Sequence, residues 1–266
     1  MKHDARIEAQ NLWNSLACGE LSGDKNTVDY FLAVERDRLP QIGWAKDYFD
    51  YASFAGKKVL EIGIGQGTDL MQFARAGADC HGVDITDNHL ELTARNFRLQ
   101  GKVVDLRKAD ATKLPFPDNT FDCVYSLGVI HHIPEADRVL AEVFRVLKPG
   151  GKVMLALYHK WSAYHLKLVV VQGVLKGHLF RAGYDGLLAR IEEAADGKNF
   201  KPYVKLYSRR DMRRLLKLFR IDDLSVHQFY ADHLLPEGLV KPFLNKPLPL
   251  SGRFGWYVTC HAVKAK

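Results

Sequence analysis

The stretch Glu61-Ile-Gly-Ile-Gly-Gln-Gly67 decides the fold. It closes an apolar run that includes Val59 and Leu60, and such a run is typical of a buried parallel strand. Residues 68–76 then place apolar side chains at helical spacing, and Gly77 stands where a helix would end. A strand, a glycine-rich turn and a helix open a nucleotide-binding βαβ unit, in which glycine lets a ligand approach the backbone.

The spacing of the glycines narrows the class of nucleotide. Gly63, Gly65 and Gly67 follow the pattern G-x-G-x-G, whereas the dinucleotide fingerprint is G-x-G-x-x-G. The turn also lacks the Lys and the Ser or Thr that complete a phosphate-binding loop. We therefore expect a ligand that is not held by its phosphates, and an NAD-dependent oxidoreductase remains an alternative.

Two more acids follow predicted strands. Residues 78–85 read as the second strand, and a parallel neighbour would bring Asp84 beside the glycine turn. There a carboxylate accepts hydrogen bonds from both ribose hydroxyls, and Ile85 offers an apolar face to the base. Asp110 stands at the end of the third predicted strand, directly before Ala111.

Residues 57–158 resemble the cofactor-binding half of the class I S-adenosylmethionine-dependent methyltransferases, in particular the type 11 branch that acts on small molecules. The resemblance is carried by Glu61 with its three glycines, Asp84, Asp110-Ala111, the strand Asn119 to Ser126, the pair His131-His132, and the turn Leu147-Lys-Pro-Gly-Gly151 before a fifth strand, Val153 to Tyr158. It implies an α/β fold with a doubly wound, mostly parallel seven-stranded sheet.

The same resemblance implies S-adenosylmethionine as cofactor and S-adenosylhomocysteine as product. Glu61 would orient the cationic amino group, and Asp110 and the backbone N–H of Ala111 would meet the adenine. The residues expected to bind the cofactor are Glu61, Gly63, Gly65, Gln66, Gly67, Thr68, Asp84, Ile85, Asp110, Ala111, Ser126, Leu127 and His131.

Four segments make up the predicted domain organisation. They are a helical N-terminal lid (1–56), the cofactor-binding core (57–159), an acceptor-side cap inserted after the fifth strand (160–206), and a C-terminal helix with edge strands that complete the same sheet (207–266). The residues expected to contact the acceptor are Trp13, Tyr30, Tyr158, Tyr164 and Tyr207. Ordinary packing of these aromatic rings is the competing interpretation.

Methyl transfer proceeds by in-line attack on a sulfonium methyl group, so alignment of the two reactants dominates catalysis. Orientation contributes on the order of 7 to 11 kcal/mol, more than one proton transfer supplies. If the acceptor is a hydroxyl, His131 or His132 is the expected base, because histidine titrates near physiological pH. Either ring alternatively packs against the cofactor or satisfies a backbone carbonyl.

The net charge of +7 is concentrated in one segment. Residues 197–220 hold nine Lys or Arg and one Asp. A solvated basic face is the favoured interpretation, with an anionic substrate, a lipid headgroup or RNA as alternatives. The basic, amphipathic stretch 161–181 is expected to pack over the sheet, with contact to a membrane surface as the alternative.

The composition excludes several other classes. The cysteines are scattered without metal-ligand spacing, so neither a metal site nor a disulfide framework is expected. No apolar run is long enough for a transmembrane helix, and the first residues lack the apolar core of a signal peptide, which favours a cytoplasmic location.

The predicted function is methyl transfer to an oxygen, nitrogen or carbon atom of a small molecule, with no stable nucleic acid partner. A cofactor-binding protein without turnover and an RNA methyltransferase that uses residues 197–220 are the alternatives. The acceptor and the oligomeric state are left open.

Overall fold

A computed structural model describes residues 5–15, 17, 19–192, 203–234 and 248–265. Its strands are β1 (Lys58–Ile62), β2 (Asp79–Asp84), β3 (Asp105–Lys108), β4 (Phe121–Leu127), β5 (Leu147–Tyr158), β6 (Arg220–His227) and β7 (Tyr257–Val263). Its α-helices are α1 (Ala5–Ser15), α2 (Val28–Gln41), α3 (Gly43–Phe49), α4 (Thr68–Arg75), α5 (Asp87–Leu99), α6 (Ala136–Val146), α7 (Ala163–Lys167), α8 (His178–Ala189), α9 (Arg209–Leu215) and α10 (Ser251–Phe254).

The strands form one sheet in the order β3-β2-β1-β4-β5-β7-β6. The first five strands pair in parallel, and β7 runs antiparallel to both β5 and β6. The chain builds outward from β1 to β3 and then returns to place β4 on the other side of β1. Ligands of open α/β sheets bind at such a reversal, beyond the carboxyl ends of the strands. The predicted doubly wound, mostly parallel seven-stranded sheet is confirmed.

Side chains alternate between two cores because successive residues of a strand point to opposite faces. In β1, Leu60 and Ile62 belong to the core beneath α6 and α9, whereas Val59 belongs to the core beneath α3 and α4. Both faces are buried, which accounts for the continuous apolar run in the sequence. Thr86 begins α5 as its cap, since its hydroxyl accepts a hydrogen bond from the amide of His89.

The fifth strand begins earlier than predicted. It runs from Leu147, because residues 148–151 form a bulge rather than a separate turn. Phe121 of β4 pairs with Leu147 of β5, and Cys123 pairs with Lys152. Residues 148–151 of β5 therefore lie between these two pairs and interrupt the regular pairing of the two strands.

The segment after β5 is helical. α7 continues directly into a π-helix, Leu168–Leu175, and α8 returns along it with a kink at Gly183. The last part of the predicted cap, residues 193–202, lies outside the described residues. No helix of the described part is long and apolar enough to cross a membrane. The division into lid, core and cap stays a prediction.

Candidate functional site

A cavity of about 200 Å³ opens beyond the carboxyl ends of the parallel strands. Its walls come from the turn after β1, the ends of β2, β4 and β5, the loop after β3, and helix α1. The sequence-predicted residues that line it are Glu61, Gly63, Gly65, Gln66, Thr68, Asp84, Ile85, Asp110, Ala111, Leu127, Trp13, His132 and Tyr158. The tertiary structure therefore brings most of the predicted site residues to one place.

The three glycines of the turn have different surroundings. All adopt positive φ, between 54° and 78°. A Cβ on Gly63 would stand 2.3 Å from Cγ2 of Val129, and one on Gly67 would stand 2.7 Å from Cγ2 of Thr93. A Cβ on Gly65 would meet no heavy atom within 4 Å, although this residue lines the cavity. Gly63 and Gly67 thus serve close packing, and Gly65 leaves the backbone open to a ligand.

A buried group of charged side chains forms the floor beside the turn. The guanidinium of Arg38 donates to Oδ2 of Asp69 at 2.8 Å, and Tyr125 donates to the same oxygen at 3.3 Å. Glu61 is 3% exposed, and its Oε2 atom has no hydrogen-bond partner among the described residues. Burial raises the pKa of the Glu61 carboxyl well above its usual range, and the negative charge of Asp69 adds to this effect. An unpaired, buried acceptor of this kind suits a cationic ligand group.

Asp84 ends β2 and organises the neighbouring loop. Its Oδ1 accepts from the amide and the hydroxyl of Thr86, at 3.0 and 2.8 Å. Its Oδ2 accepts from the amide of Ile64 at 3.1 Å and lies 3.2 Å from Nδ1 of His89. The carboxylate is thereby held between the glycine turn and α5, and it already has a donor on each of its acceptor sites. A ribose hydroxyl could therefore donate directly to Asp84, as predicted, only if one of these present donors gave up its hydrogen bond.

His89 lines the cavity next to Asp84, and it is not among the residues predicted from the sequence. Its Nδ1 faces Asp84, so the neutral ring carries its lone pair on Nε2. That Nε2 atom is buried and has no hydrogen-bond partner among the described residues. A ribose hydroxyl matches this acceptor. The sequence feature that could have predicted His89 is its position in the first turn of the helix that follows Asp84.

The loop after β3 contributes Asp110 and Ala111 to the lining. Asp110 accepts from the amide of Thr112 at 2.8 Å, which orients its carboxylate within the loop. Ile85 lines the cavity on the neighbouring strand end, as the sequence predicts for a wall of a base-binding site.

Aromatic rings form another part of the cavity lining. Trp13 on α1 lies with its ring centroid 6.0 Å from His132 and 6.5 Å from His89. Helix α1 is held over the strand ends by Gln10, which donates to the carbonyl of Ile85 at 3.1 Å. Tyr158, at the end of β5, and Tyr257, at the start of β7, complete the wall.

The two adjacent histidines have different environments. His132 lines the cavity, and its Nδ1 lies 2.9 Å from the carbonyl oxygen of Tyr203. Nδ1–H therefore donates to that carbonyl, and in the neutral ring Nε2 carries the lone pair.

His131 is fully buried and does not line the cavity, in contrast to its predicted place among the cofactor and catalytic residues. Its ring centroid lies 3.7 Å from that of Tyr158, and its two ring nitrogens have no hydrogen-bond partner among the described residues. Burial lowers the pKa of His131 well below its usual value, and His132 adds to this effect. A neutral ring that supports Tyr158 fits these surroundings better than a base that meets an acceptor.

Other predicted residues also lie outside the lining, each for a packing reason. Gly67 caps α4, and Ser126 donates to the carbonyl of Ile62, which ties β4 to β1. Tyr30 donates to Oε1 of Gln66 at 2.9 Å from behind the turn. Tyr164 packs on Trp256, and Tyr207 is buried beside β5. The cavity lining also lacks the other described aromatic residues of the insertion, which are Trp161, His165, His178, Phe180, Tyr184 and Tyr203.

The remaining predictions concern charge and cysteine. The described part of the basic segment carries exposed Arg209, Arg210, Arg213 and Arg214 on α9, whose Met212 and Leu215 are buried in the core. Residues 197–202 of that segment lie outside the described residues. Cys80, Cys123 and Cys260 are buried free thiols, and Cys18 is not described. Within the described ranges, no group of His, Cys, Asp and Glu is arranged to hold a metal ion.

Comparison with known proteins is consistent with this geometry. The methyltransferase-domain family matches residues 60–155. A ubiquinone biosynthesis O-methyltransferase of Bartonella bacilliformis is 28% identical over 136 residues, which are 51% of this chain and 55% of that protein. The chain thus spans about half the length of this relative.

Two solved structures share the fold. A SAM-dependent methyltransferase from Methanosarcina mazei superposes with a TM-score of 0.61 at 21% identity, over 82% of this chain and 97% of the other. A magnesium protoporphyrin IX methyltransferase from Synechocystis, solved with bound SAH, superposes with a TM-score of 0.59 at 17% identity, over 98% of this chain and 100% of the other. The names of the Bartonella and Synechocystis proteins indicate different acceptors, so the shared fold does not determine the acceptor.

Proposed function

We propose that the chain is a member of the type 11 branch of the class I S-adenosylmethionine-dependent methyltransferases and that it transfers a methyl group from this cofactor to a small-molecule acceptor. One observation carries the proposal: a carboxylate-lined half and an aromatic half share one cavity at the switch point of the sheet.

The carboxylate half fits the cofactor. Oε2 of Glu61 is a buried acceptor that would bind the ammonium group of the cofactor. Gly65 leaves its own backbone accessible to the ligand. Nε2 of His89 would accept from a ribose hydroxyl, and Asp84 would accept from one only in exchange for one of its present donors. The adenine fits against Ile85 near the Asp110 loop. When bound, the cofactor supplies an electrophilic methyl carbon on a positively charged sulfur.

The aromatic half is the proposed acceptor site. Trp13, Tyr158 and Tyr257 give it broad apolar walls, and His132 is its polar group. These walls favour an acceptor with an apolar, flat body and one nucleophilic oxygen, nitrogen or carbon atom. Holding that atom in line with the methyl carbon and excluding water supply most of the expected rate enhancement.

For a hydroxyl acceptor, we propose His132 as the base. The carbonyl of Tyr203 accepts from Nδ1–H, and this contact keeps the lone pair on Nε2. Nε2 of His132 would take the proton of the hydroxyl while the methyl group passes from sulfur to oxygen, so that the carbon–sulfur bond breaks as the carbon–oxygen bond forms and S-adenosylhomocysteine leaves as the neutral thioether. For a carbon or nitrogen acceptor the ring orients the acceptor and takes no proton.

The test uses S-adenosylmethionine with a deuterated methyl group. The full chain is titrated calorimetrically with S-adenosylhomocysteine, then incubated with the labelled cofactor and a metabolite extract, and products are sought by mass spectrometry. The proposal expects saturable binding and a labelled small molecule. Absence of binding would contradict it, and tight binding without any labelled product would favour a cofactor-binding protein without turnover. Label found only in added RNA, lost at high salt, would favour RNA methylation through the basic segment.

A further inference from the structure

A second surface of the molecule has no role in the cavity. The helical hairpin formed by α7, the π-helix and α8 exposes a set of large apolar side chains, here called the outer face. It consists of Trp161, Leu166, Val170, Val174, Leu175 and Phe180, which are 64, 64, 44, 48, 75 and 78% exposed. Large apolar side chains gathered in one segment mark an interaction surface, whereas single exposed ones need no explanation.

The opposite side of the hairpin is anchored in the protein. Leu168 and Leu187 are buried in a small core with Leu206 and Trp256. Gly173 allows the π-helix and α8 to approach, since a Cβ there would stand 3.0 Å from Cδ2 of Leu187. Because the side of the hairpin that carries Leu168 and Leu187 is packed against the protein, the outer face points to solvent.

The hairpin is predominantly basic. Residues 160–189 contain Lys160, Lys167, Lys176 and Arg181 and a single acid, Asp185. Lys176 and Arg181 are exposed beside Leu175 and Phe180, and Nζ of Lys160 lies 5.5 Å from the ring centroid of Trp161. Basic side chains interleaved with Trp, Phe and Leu are typical of surfaces that lie in a membrane interface.

We propose that the outer face docks on an anionic lipid bilayer, with its apolar side chains at headgroup depth and its basic side chains among the phosphates. A second copy of the chain fits less well. The basic side chains of the hairpin outnumber its one acid, Asp185, so a two-fold contact through this face would bring together two surfaces of net positive charge. The proposal does not depend on methyl transfer.

The position of the hairpin gives the docking a consequence for the cavity. Tyr158 and Tyr257 line the cavity and also pack on the small core beneath the hairpin. A docked hairpin would hold the aromatic half of the cavity close to the bilayer, where apolar molecules dissolve.

The test measures co-sedimentation of the full chain with vesicles of phosphatidylcholine alone and of phosphatidylcholine mixed equally with phosphatidylglycerol. We expect binding to the mixed vesicles that weakens with salt, and a blue shift of tryptophan emission that Trp161→Phe removes. Leu175→Ser with Phe180→Ser should lower partitioning at least about tenfold, and Lys176→Gln with Arg181→Gln should lower it by roughly tenfold as well.

Matched variants control for general loss of apolar surface or charge. Val103→Ser removes an 88% exposed valine outside the hairpin, and Arg213→Gln with Arg214→Gln removes two exposed charges of α9. Both should bind vesicles like the wild type. Equal binding by the Leu175 and Phe180 double variant, loss of binding in the α9 variant alone, or binding to neither vesicle would overturn the proposal. So would a dimer in sedimentation velocity that Leu175→Ser dissociates.

Discussion

Nδ1 of His89 lies 3.2 Å from Oδ2 of Asp84, and both side chains are buried at the wall of the cavity. The pair joins the end of β2 to the first turn of α5. It leaves Nε2 of His89 as an acceptor without a partner among the described residues. In the proposed function this acceptor meets the cofactor ribose.

His89→Ala is expected to weaken cofactor binding by roughly tenfold, because one hydrogen bond contributes about 1.5 kcal/mol or less. Titration calorimetry with S-adenosylhomocysteine measures the change. Glu91→Ala alters an exposed residue of the same helix and should leave the affinity unchanged. Equal affinities for wild type and His89→Ala would remove His89 from the site.

Asp84→Ala should differ from His89→Ala by also destabilising the fold. The amides of Ile64 and Thr86 would lose a buried acceptor, at a cost of about 1–3 kcal/mol each. We expect a lower melting temperature together with markedly weaker cofactor binding. A variant that melts like the wild type would contradict the structural part of this prediction.

Glu61→Gln is expected to lower cofactor affinity by roughly 10- to 100-fold, because a charged hydrogen bond contributes about 1.5–3 kcal/mol. The same substitution should not lower the stability of the fold, and at neutral pH it should raise it or leave it unchanged. The carboxyl titrates near 4.5 when unfolded, and its pKa is higher in the folded chain. The folded state therefore binds the extra proton above pH 4.5, and stability falls as pH rises through that window.

The glutamine side chain does not ionise, so the variant does not lose stability as the pH rises. At neutral pH it should therefore melt at the same temperature as the wild type or at a higher one. In the wild type, a bound ammonium group would lower the pKa of Glu61, so binding should release protons at pH values between the pKa of the free protein and that of the complex. The binding enthalpy should then depend on the ionisation enthalpy of the buffer, and Glu61→Gln should abolish that dependence. Unchanged affinity in the variant would place the ammonium group elsewhere.

His132→Ala should reduce turnover of a hydroxyl acceptor by roughly a hundredfold, the lower range for loss of a general base, with little effect on cofactor affinity. His131→Phe is the matched variant, because it keeps an aromatic ring against Tyr158. It should retain most of the activity. The reverse pattern, with His131→Phe inactive and His132→Ala active, would contradict the assignment.

Gly63→Ala and Gly65→Ala should fail in different ways. The first should lower the melting temperature, because the new methyl group would clash with Val129, and Val129→Ala should restore part of the loss. The second adds a methyl group in open space, so it should weaken cofactor binding with a stability cost of only about 1 kcal/mol from the positive φ. Thermal melts and cofactor titrations separate the two. Lack of rescue by Val129→Ala would leave backbone strain as the cause.

Trp13→Ala is expected to accelerate cofactor dissociation roughly tenfold, because the ring spans the space between His89 and His132. Stopped-flow displacement of a fluorescent cofactor analogue measures the rate. Asn11→Ala changes an exposed residue of the same helix and should have no effect. An unchanged rate in Trp13→Ala would exclude α1 as a cover of the site.

Local sequence patterns were sufficient for much of the fold and for one half of the cavity. Glu61, the glycine turn, Asp84 and Asp110 could be predicted because each lies at the end of a strand, and parallel strands present the same end to one crevice. The start of β5 was predicted too late, since a bulge and a turn have the same glycine-rich sequence.

The rest of the site depended on contacts between distant parts of the chain. Arg38 reaches Asp69 from another helix, and Tyr257 joins the wall from the last strand, so neither carries a local signal. For the histidine pair, the sequence by itself determined that two rings stand after β4. Only the tertiary structure decided that His132 faces the cavity and His131 the core. They lie in a 3₁₀ turn of three residues per turn, where adjacent side chains point about 120° apart.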